Sequence, residues 1–302
     1  AVNQILKKTK INIDFIGFHG QTIYHNAKER ISKQLGDGRL LSKLTKKTVV
    51  YDFRQNDLKN GGHGAPLTPI FHKVLAHKFK ITYSYFLNIG GITNYTLIDD
   101  GSEGEDHEKF KQAKDLYISA NDIGPGMCLV DRWIRTNSNK KYDKDGKLAK
   151  SGKVDINLVE EACWDQEKIK KLNKKIMMHK QSFDVKDFDG SFVKGLSLKD
   201  GAATLIEFTV RNLIPCLHFT EEHCYNLVLC GGGRKNKVLV KKLKKFSTRI
   251  KLIDDYGIDG DFVESQAFAY LAIRSYLGLP ISFPETTGCK KPTAGGVIIK
   301  FK

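Results

Sequence analysis

The chain has 302 residues, 40% of them hydrophobic and 28% charged, with a formal net charge of +16. That length suits one large domain or two smaller ones, and no window approaches the ~18 unbroken apolar residues of a membrane helix. The opening AVNQILKKTK lacks the long apolar core of a secretory signal, so a cytoplasmic protein with no membrane partner is expected.

The chain starts at Ala1, directly ahead of a strand-like run, and the amino-terminal part of a larger protein is expected upstream. Ile13–Phe18 and Thr48–Phe53 are β-branched or aromatic runs of strand length. Asp52 to Pro69 then reads DFRQNDLKNGGHGAPLTP, with Asp52, Arg54, Asp57 and His63 around a Gly61-Gly62-x-Gly64 turn. Charged groups on a glycine loop between strand and helix form an active-site layout, because glycine lets the backbone approach a ligand. The plainer alternative is a surface turn with solvated charges. Thr68–Phe79 predicts a helix with Thr68 as N-cap and Pro69 at its first position. Tyr85–Ile89 and Tyr95–Ile98 predict two strands joined at Gly90-Gly91, and the acidic stretch Asp99–Glu108 predicts a disordered tip. Leu116–Ser119 predicts a strand ending in the turn NDIGPGM, followed by a helix over Met127–Arg135.

The middle changes character. Asn137–Lys153 is polar, lysine-rich and dotted with glycine, residues 155–180 read as a charged helix, and Ser182–Gly190 reads as an irregular loop. An insertion or lid over about 137–195 is the expectation. Strand and helix alternation then returns. Leu198–Phe219 predicts a long helix perturbed at Pro215. Asn226–Cys230 predicts a strand running into Gly231-Gly232-Gly233, and Asn236–Phe246 an amphipathic helix. Ile250–Ile253 predicts a strand, Asp261–Leu277 a helix and Gly295–Phe301 a last strand.

The basic residues comprise 41 lysines and nine arginines. Base readout and bidentate phosphate recognition favour arginine, so nucleic acid is not expected as a partner. The lysines read as solvated faces. The six cysteines show no metal or disulfide spacing and read as buried thiols of a reducing compartment.

Two strand–glycine–helix junctions are candidate phosphate sites, Asp122 to Gly126 and Gly231 to Asn236. Each is expected to offer unpaired N–H groups at a helix start. Asp122 is a candidate Mg²⁺ ligand, and the three glycines could let a purine pack on the backbone. Neither junction matches P-loop or GxGxxG spacing, and a glycine turn ending a strand is often only structural. Two such junctions in two α/β halves point to a nucleotide in a cleft between them. The junction His19-Gly20-Gln21-Thr22 is either a polar site or a core histidine beside a turn. The amides of Asn88 and Asn94 around Gly90-Gly91 could bind sugar hydroxyls or hold a tight turn.

Taken together, HGQTIYH, VVYDFRQNDLKNGGHGAPLTP, LNIGGITN, the GPG turn, YDKDGKLAKSGKVD, CGGGRKN, ESQAFAYLA and the closing TTG…GGV resemble the 1,6-anhydro-N-acetylmuramic acid kinase family. That family lies in the actin, sugar kinase and Hsp70 ATPase superfamily. The resemblance implies an actin-like (ribonuclease H-like) α/β fold in two lobes around an ATP cleft. The first lobe would cover residues 1–120 and be incomplete; the second would cover 121–302. It also implies a kinase that opens the anhydro ring of a muramic amino sugar with water and phosphorylates the C6 oxygen, with ATP and Mg²⁺. On that resemblance Asp57 is the base. His19, Gln21, Thr22, Arg54, Gly61, Gly62, Gly64, Ala65, Asn88, Gly90 and Gly91 would bind the sugar. Asp122, Gly124, Gly126, Gly231, Gly232, Gly233 and Asn236 would bind the nucleotide, Asp122 also taking Mg²⁺. Glu264 and Ala267 would lie on the helix linking the halves.

Two departures go with the resemblance. The family's opening GTS-type phosphate loop has no counterpart before His19, and Ile123 and Met127 stand where the family has a threonine and an asparagine. Both predict reduced activity, an exposed sheet edge in the first lobe, and a complementing amino-terminal fragment; a homodimer is also compatible. The alternatives are a non-catalytic basic remnant that binds polyanions and a different sugar kinase of the same superfamily.

Overall fold

The computed structural model describes residues 2–9, 11–81, 83–99, 116–163, 183, 185–217 and 225–301. The expected acidic tip beyond Asp99, the expected charged helix beyond residue 163 and the side chains of Cys216 and Cys224 lie outside the described residues. The chain forms two compact units, one from Ala1–Leu75 with Phe262–Lys302 and one from Ala76–Asp261. The boundary expected at residue 120 differs from this division. It would fall inside the strand Tyr117–Pro125, whose ladder to the preceding strand runs from end to end.

In the first unit, strand β1 (Phe15–Phe18) pairs in parallel with β4 (Thr48–Tyr51), and β4 pairs antiparallel with β10 (Val297–Ile299). Val49 and Val50 of β4 are fully buried, as expected for a central strand written as one apolar run. The helix Val263–Tyr276 packs on this sheet through Phe268, whose ring lies 5.2 Å from that of Phe53. The hairpin of β2 (Gln21–Asn26) and β3 (Ile31–Leu35) was not predicted. Ile23, Tyr24 and Leu35 point outward there, so the apolar alternation that signals a half-buried strand is missing. The unpredicted helix Gly38–Thr45 starts at Asp37, whose carboxylate accepts the N–H groups of Arg39 and Leu40 at 2.8 and 3.1 Å.

The second unit is built on five strands in the order β7-β6-β5-β8-β9, namely Tyr117–Pro125, Ile92–Asp99, Ser84–Ile89, Asn226–Cys230 and Ile250–Leu252. β5, β6 and β7 form an antiparallel meander, and β8 and β9 run parallel to β5. Leu227, Val228 and Leu229 are fully buried in β8. The helix Leu198–Leu213 ends in a tighter turn over Ile214–Cys216, where Pro215 cannot donate the next helical bond. This is the mixed α/β architecture of the actin-like ATPase class.

Described residues of the region expected as an insertion reach this core. Ala149 and Val159 belong to the same apolar cluster as Leu205 and Leu229. The N–H of Lys153 donates to Asp200 at 2.6 Å, and that of Asp155 to the Thr204 hydroxyl at 3.0 Å. A few anchors tie a polar stretch to the core, and composition alone does not reveal them. Among the described residues no helix is long and apolar enough to cross a membrane.

Candidate active site

In the first unit, β4 delivers the chain into the short helix Gln55–Lys59, with Arg54 at its N-cap and Asp57 in its first turn. Asp57 is 1% exposed. One carboxylate oxygen accepts the N–H of Gly64 at 2.6 Å, and the other accepts the Thr287 hydroxyl at 2.7 Å. The N–H of Gly62 donates to the Asp57 carbonyl at 2.9 Å. A β-carbon at residue 62 would lie 2.2 Å from the Asp57 carboxylate, so only glycine fits there. The carboxy-terminal segment closes over the loop. The N–H of His63 donates to the Thr287 carbonyl at 2.8 Å, and the Asn56 amide to the Ala294 carbonyl at 2.6 Å.

Arg54 joins the loop to the hairpin side. Its guanidinium donates to the Gly64 carbonyl at 2.6 Å and to Nε2 of His19 at 3.0 Å. His19 therefore accepts at Nε2 and carries its proton on Nδ1. Burial, helped by the Arg54 charge, lowers its pKa to about 4. Burial lowers the pKa of Arg54, while the charges of Glu264 and Asp57 act in the opposite sense. Thr22 is reached through Gln34, whose amide donates to its hydroxyl at 3.3 Å. Gln21 is exposed on β2 and Gly61 on the loop surface, while Ala65 is half-buried beside Gly64.

His19, Arg54, Asp57, Gly62 and Gly64 thus form one bonded group. Asn88, Gly90 and Gly91 lie on the β5–β6 hairpin of the second unit. There Gly90 and Gly91 line a cavity of about 640 Å³ together with Asp131, Tyr142, Gly232 and Asn236. That volume suits a small-molecule ligand.

The three glycines after β8 have different tasks. A β-carbon at Gly231 would lie 2.5 Å from Asn88 Oδ1, and one at Gly233 would lie 2.3 Å from an Ile89 methyl. At Gly232 it would meet nothing within 4 Å. Two glycines therefore pack the turn onto β5, and the third leaves space at the cavity. Arg234, 4% exposed, pins the turn from behind. It bonds Asp254 through two nitrogens at 2.6 and 3.1 Å, Asp261 at 3.0 Å and the Gly231 carbonyl at 3.0 Å. Asn236 caps the helix Lys237–Leu243, its Oδ1 accepting from Val238 and Leu239 at 3.1 Å. Its buried Nδ2 has no partner among the described residues, which leaves a donor at the cavity wall.

The first phosphate junction needs correction. The N–H groups of Gly126, Met127 and Cys128 are not open. They donate to the Gly91, Gly90 and Gly91 carbonyls at 2.9, 2.8 and 3.2 Å. The strand also runs on through Pro125 instead of turning at Asp122, and Gly124 is paired with Thr93 in the ladder. Ile123 is buried in the apolar core, whereas Met127 lines the cavity. Asp122 accepts the N–H of Phe183 at 3.0 Å, and burial raises its pKa to about 6. Among the described residues there is no group of three or more His, Cys, Asp or Glu side chains that could hold a metal ion.

Three features were missed in the sequence: Thr287, Asp131 and the cavity segment around Tyr142. The motifs YDKDGK and TTG were visible, but nothing in them said which groups they would meet.

Residues 1–300 match the family model described as anhydro-N-acetylmuramic acid kinase. The chain is 48% identical, over 305 aligned positions, to the anhydro-N-acetylmuramic acid kinase of Pelagibacter ubique, covering 98% of this chain and 76% of that protein. It is 38% identical to the protein of the same description from Agrobacterium fabrum, with 99% and 78% covered, and 38% identical to that from Rhizobium johnstonii, with 95% and 73% covered. The chain belongs to the anhydro-N-acetylmuramic acid kinase family.

Proposed function

We propose that this kinase opens 1,6-anhydro-N-acetylmuramic acid and phosphorylates it, with Asp57 as the general base. The observation that carries the assignment is the Asp57 carboxylate, buried in a glycine loop and held by one donor on each oxygen. An ionised carboxylate has about four acceptor positions, so it can still accept from a water molecule. Asp57 takes a proton from that water as the water oxygen bonds to the anomeric carbon. The bond from that carbon to O6 breaks, and O6 forms a bond to the γ-phosphorus of ATP as the bond from that phosphorus to ADP breaks. The products are the 6-phosphosugar, ADP and one proton, held first by Asp57 and then released to solvent.

The second unit's cavity would take the nucleoside end of ATP. Its wall offers glycine backbone, the Asn236 donor and the Asp131 carboxylate for a base and ribose, and Lys144 and Lys235 for the phosphates that follow. Asp122 would hold Mg²⁺, with phosphate oxygens supplying further ligands. Burial raises the pKa of its carboxylate against the lowering effect of the Phe183 N–H bond, and a bound divalent ion would keep that carboxylate ionised. When bound, that ion neutralises charge developing on the transferring phosphoryl group.

The test is turnover of the anhydro sugar with ATP in ¹⁸O-labelled water. Label is expected in the anomeric hydroxyl and not in the phosphate ester. Label in the ester, or a phosphorylated sugar with its ring still closed, would overturn the assignment.

A further inference from the structure

We infer that Thr287 is the positioning residue for Asp57, an inference that rests on Asp57 being the base. Thr287 lies 230 positions away in the sequence, at the end of the short helix Pro284–Thr287. It is fully buried, so water cannot replace its hydroxyl. That hydroxyl lies 2.7 Å from the Asp57 carboxylate and 3.4 Å from the Phe283 carbonyl. It has one proton to give, and the shorter bond to a charged acceptor is the stronger. The proton therefore goes to Asp57.

The geometry shows what this bond adds. The Gly64 N–H fixes one carboxylate oxygen from within the loop. A carboxylate held at one oxygen can still swing about its Cβ–Cγ bond. The Thr287 hydroxyl fixes the second oxygen from another part of the chain and so sets the plane of the group. The same residue's carbonyl accepts the His63 N–H at 2.8 Å, so Thr287 grips both the base and the loop that carries it. A reacting group needs this kind of support, because small misplacements are costly in rate.

The test compares kcat and KM for the anhydro sugar and ATP in the wild type, Thr287→Val, Thr287→Ser, Thr287→Cys and Asp57→Asn. Thr287→Val keeps the shape and removes the donor. Its kcat is expected to fall by ~10²-fold, with KM for both substrates near the wild-type value. Thr287→Ser restores the donor and is expected to recover most of kcat. Thr287→Cys, a weaker donor of similar size, should fall between them, and it decides the matter if the valine variant does not fold. A purely structural role would move both KM values and the melting temperature together with kcat. Wild-type kcat in Thr287→Val or Thr287→Cys, with Asp57→Asn inactive, overturns the role of Thr287 alone. Wild-type kcat in Asp57→Asn overturns the base assignment beneath it.

Discussion

The loop around Asp57 and the turn around Gly232 are both rich in glycine, yet glycine does opposite things in them. At Gly62 the missing side chain makes room for the protein's own carboxylate, 2.2 Å from where a β-carbon would sit. At Gly232 it leaves open space, since beyond its chain neighbours no described residue places an atom within 4 Å of that position. The first region is bonded from several directions before any substrate arrives. The second keeps an open cavity and an unused amide donor on Asn236. A group that must move a proton benefits from being fixed in advance, whereas a nucleotide site must leave its donors available.

The largest effect that would break this contrast is on Asp57, the proposed base. Asp57→Asn should lower kcat by ~10²–10⁴-fold, the usual contribution of a general base, while ATP binding by the second unit stays at its wild-type level. Fluorescence titration with a nucleotide analogue alongside turnover separates the two. Gly62→Ala comes next. The added methyl must displace the carboxylate, so kcat should fall by ~10²-fold and stability by about 1–3 kcal/mol. Gly232→Ala should fold as well as the wild type and raise KM for ATP by about tenfold, or ~1.4 kcal/mol of binding. Equal loss of stability in the two alanine variants would erase the distinction between the regions.

How much of this was legible in the sequence depends on the range of each interaction. Asp57 and its glycine loop were visible, because strand, loop and helix follow one another within Asp52–Pro69. The β5–β6 hairpin and β8 were visible for the same reason: their apolar runs are short-range signals. Thr287 was not visible as a partner of Asp57, because the residues that meet are 230 apart. The Asp122 to Gly126 junction was misjudged on similar grounds. Glycine spacing suggested free N–H groups, but the carbonyls of Gly90 and Gly91 come from a different hairpin and take them up. The YDKDGK stretch looked like decoration because its composition is polar. Its place in the cavity wall depends on contacts with residues far along the chain.

Asp122 sharpens the comparison through the sign of its effect on stability. Its folded pKa, about 6, lies above the unfolded value. The folded state therefore binds the proton more tightly, and that advantage is present in full at low pH and lost as pH rises through about 6. At pH 7 the ionised carboxylate costs up to about 3 kcal/mol, less where solvent reaches it. Asp122→Asn should thus stabilise the ligand-free protein by about 1–3 kcal/mol at pH 7 while lowering kcat. A carboxylate kept for binding behaves this way. Denaturant unfolding at pH 7, with kcat measured on the same samples, tests both signs; a variant that loses stability would contradict the assignment.

The smallest effect lies beside the base loop, in His72 on the helix Pro69–Phe79. His72 is 2% exposed, and burial lowers its pKa to about 4. Here the unfolded chain binds the proton more readily, so the stability is present above the unfolded value near 6.5 and is lost as pH falls towards 4. By pH 5.5 the loss from His72 is about 1 kcal/mol, which for a chain of this size lowers Tm by roughly 2–4 °C. His19 titrates through the same window because its pKa is also lowered to about 4, so His72→Gln should flatten the acid slope of Tm without abolishing it. Both histidines belong to the first unit, and the acid loss should appear in its unfolding. An unchanged slope in His72→Gln would mean that His72 does not resist protonation, and that the acid sensitivity of this unit comes from His19 and from His25, whose pKa burial also lowers.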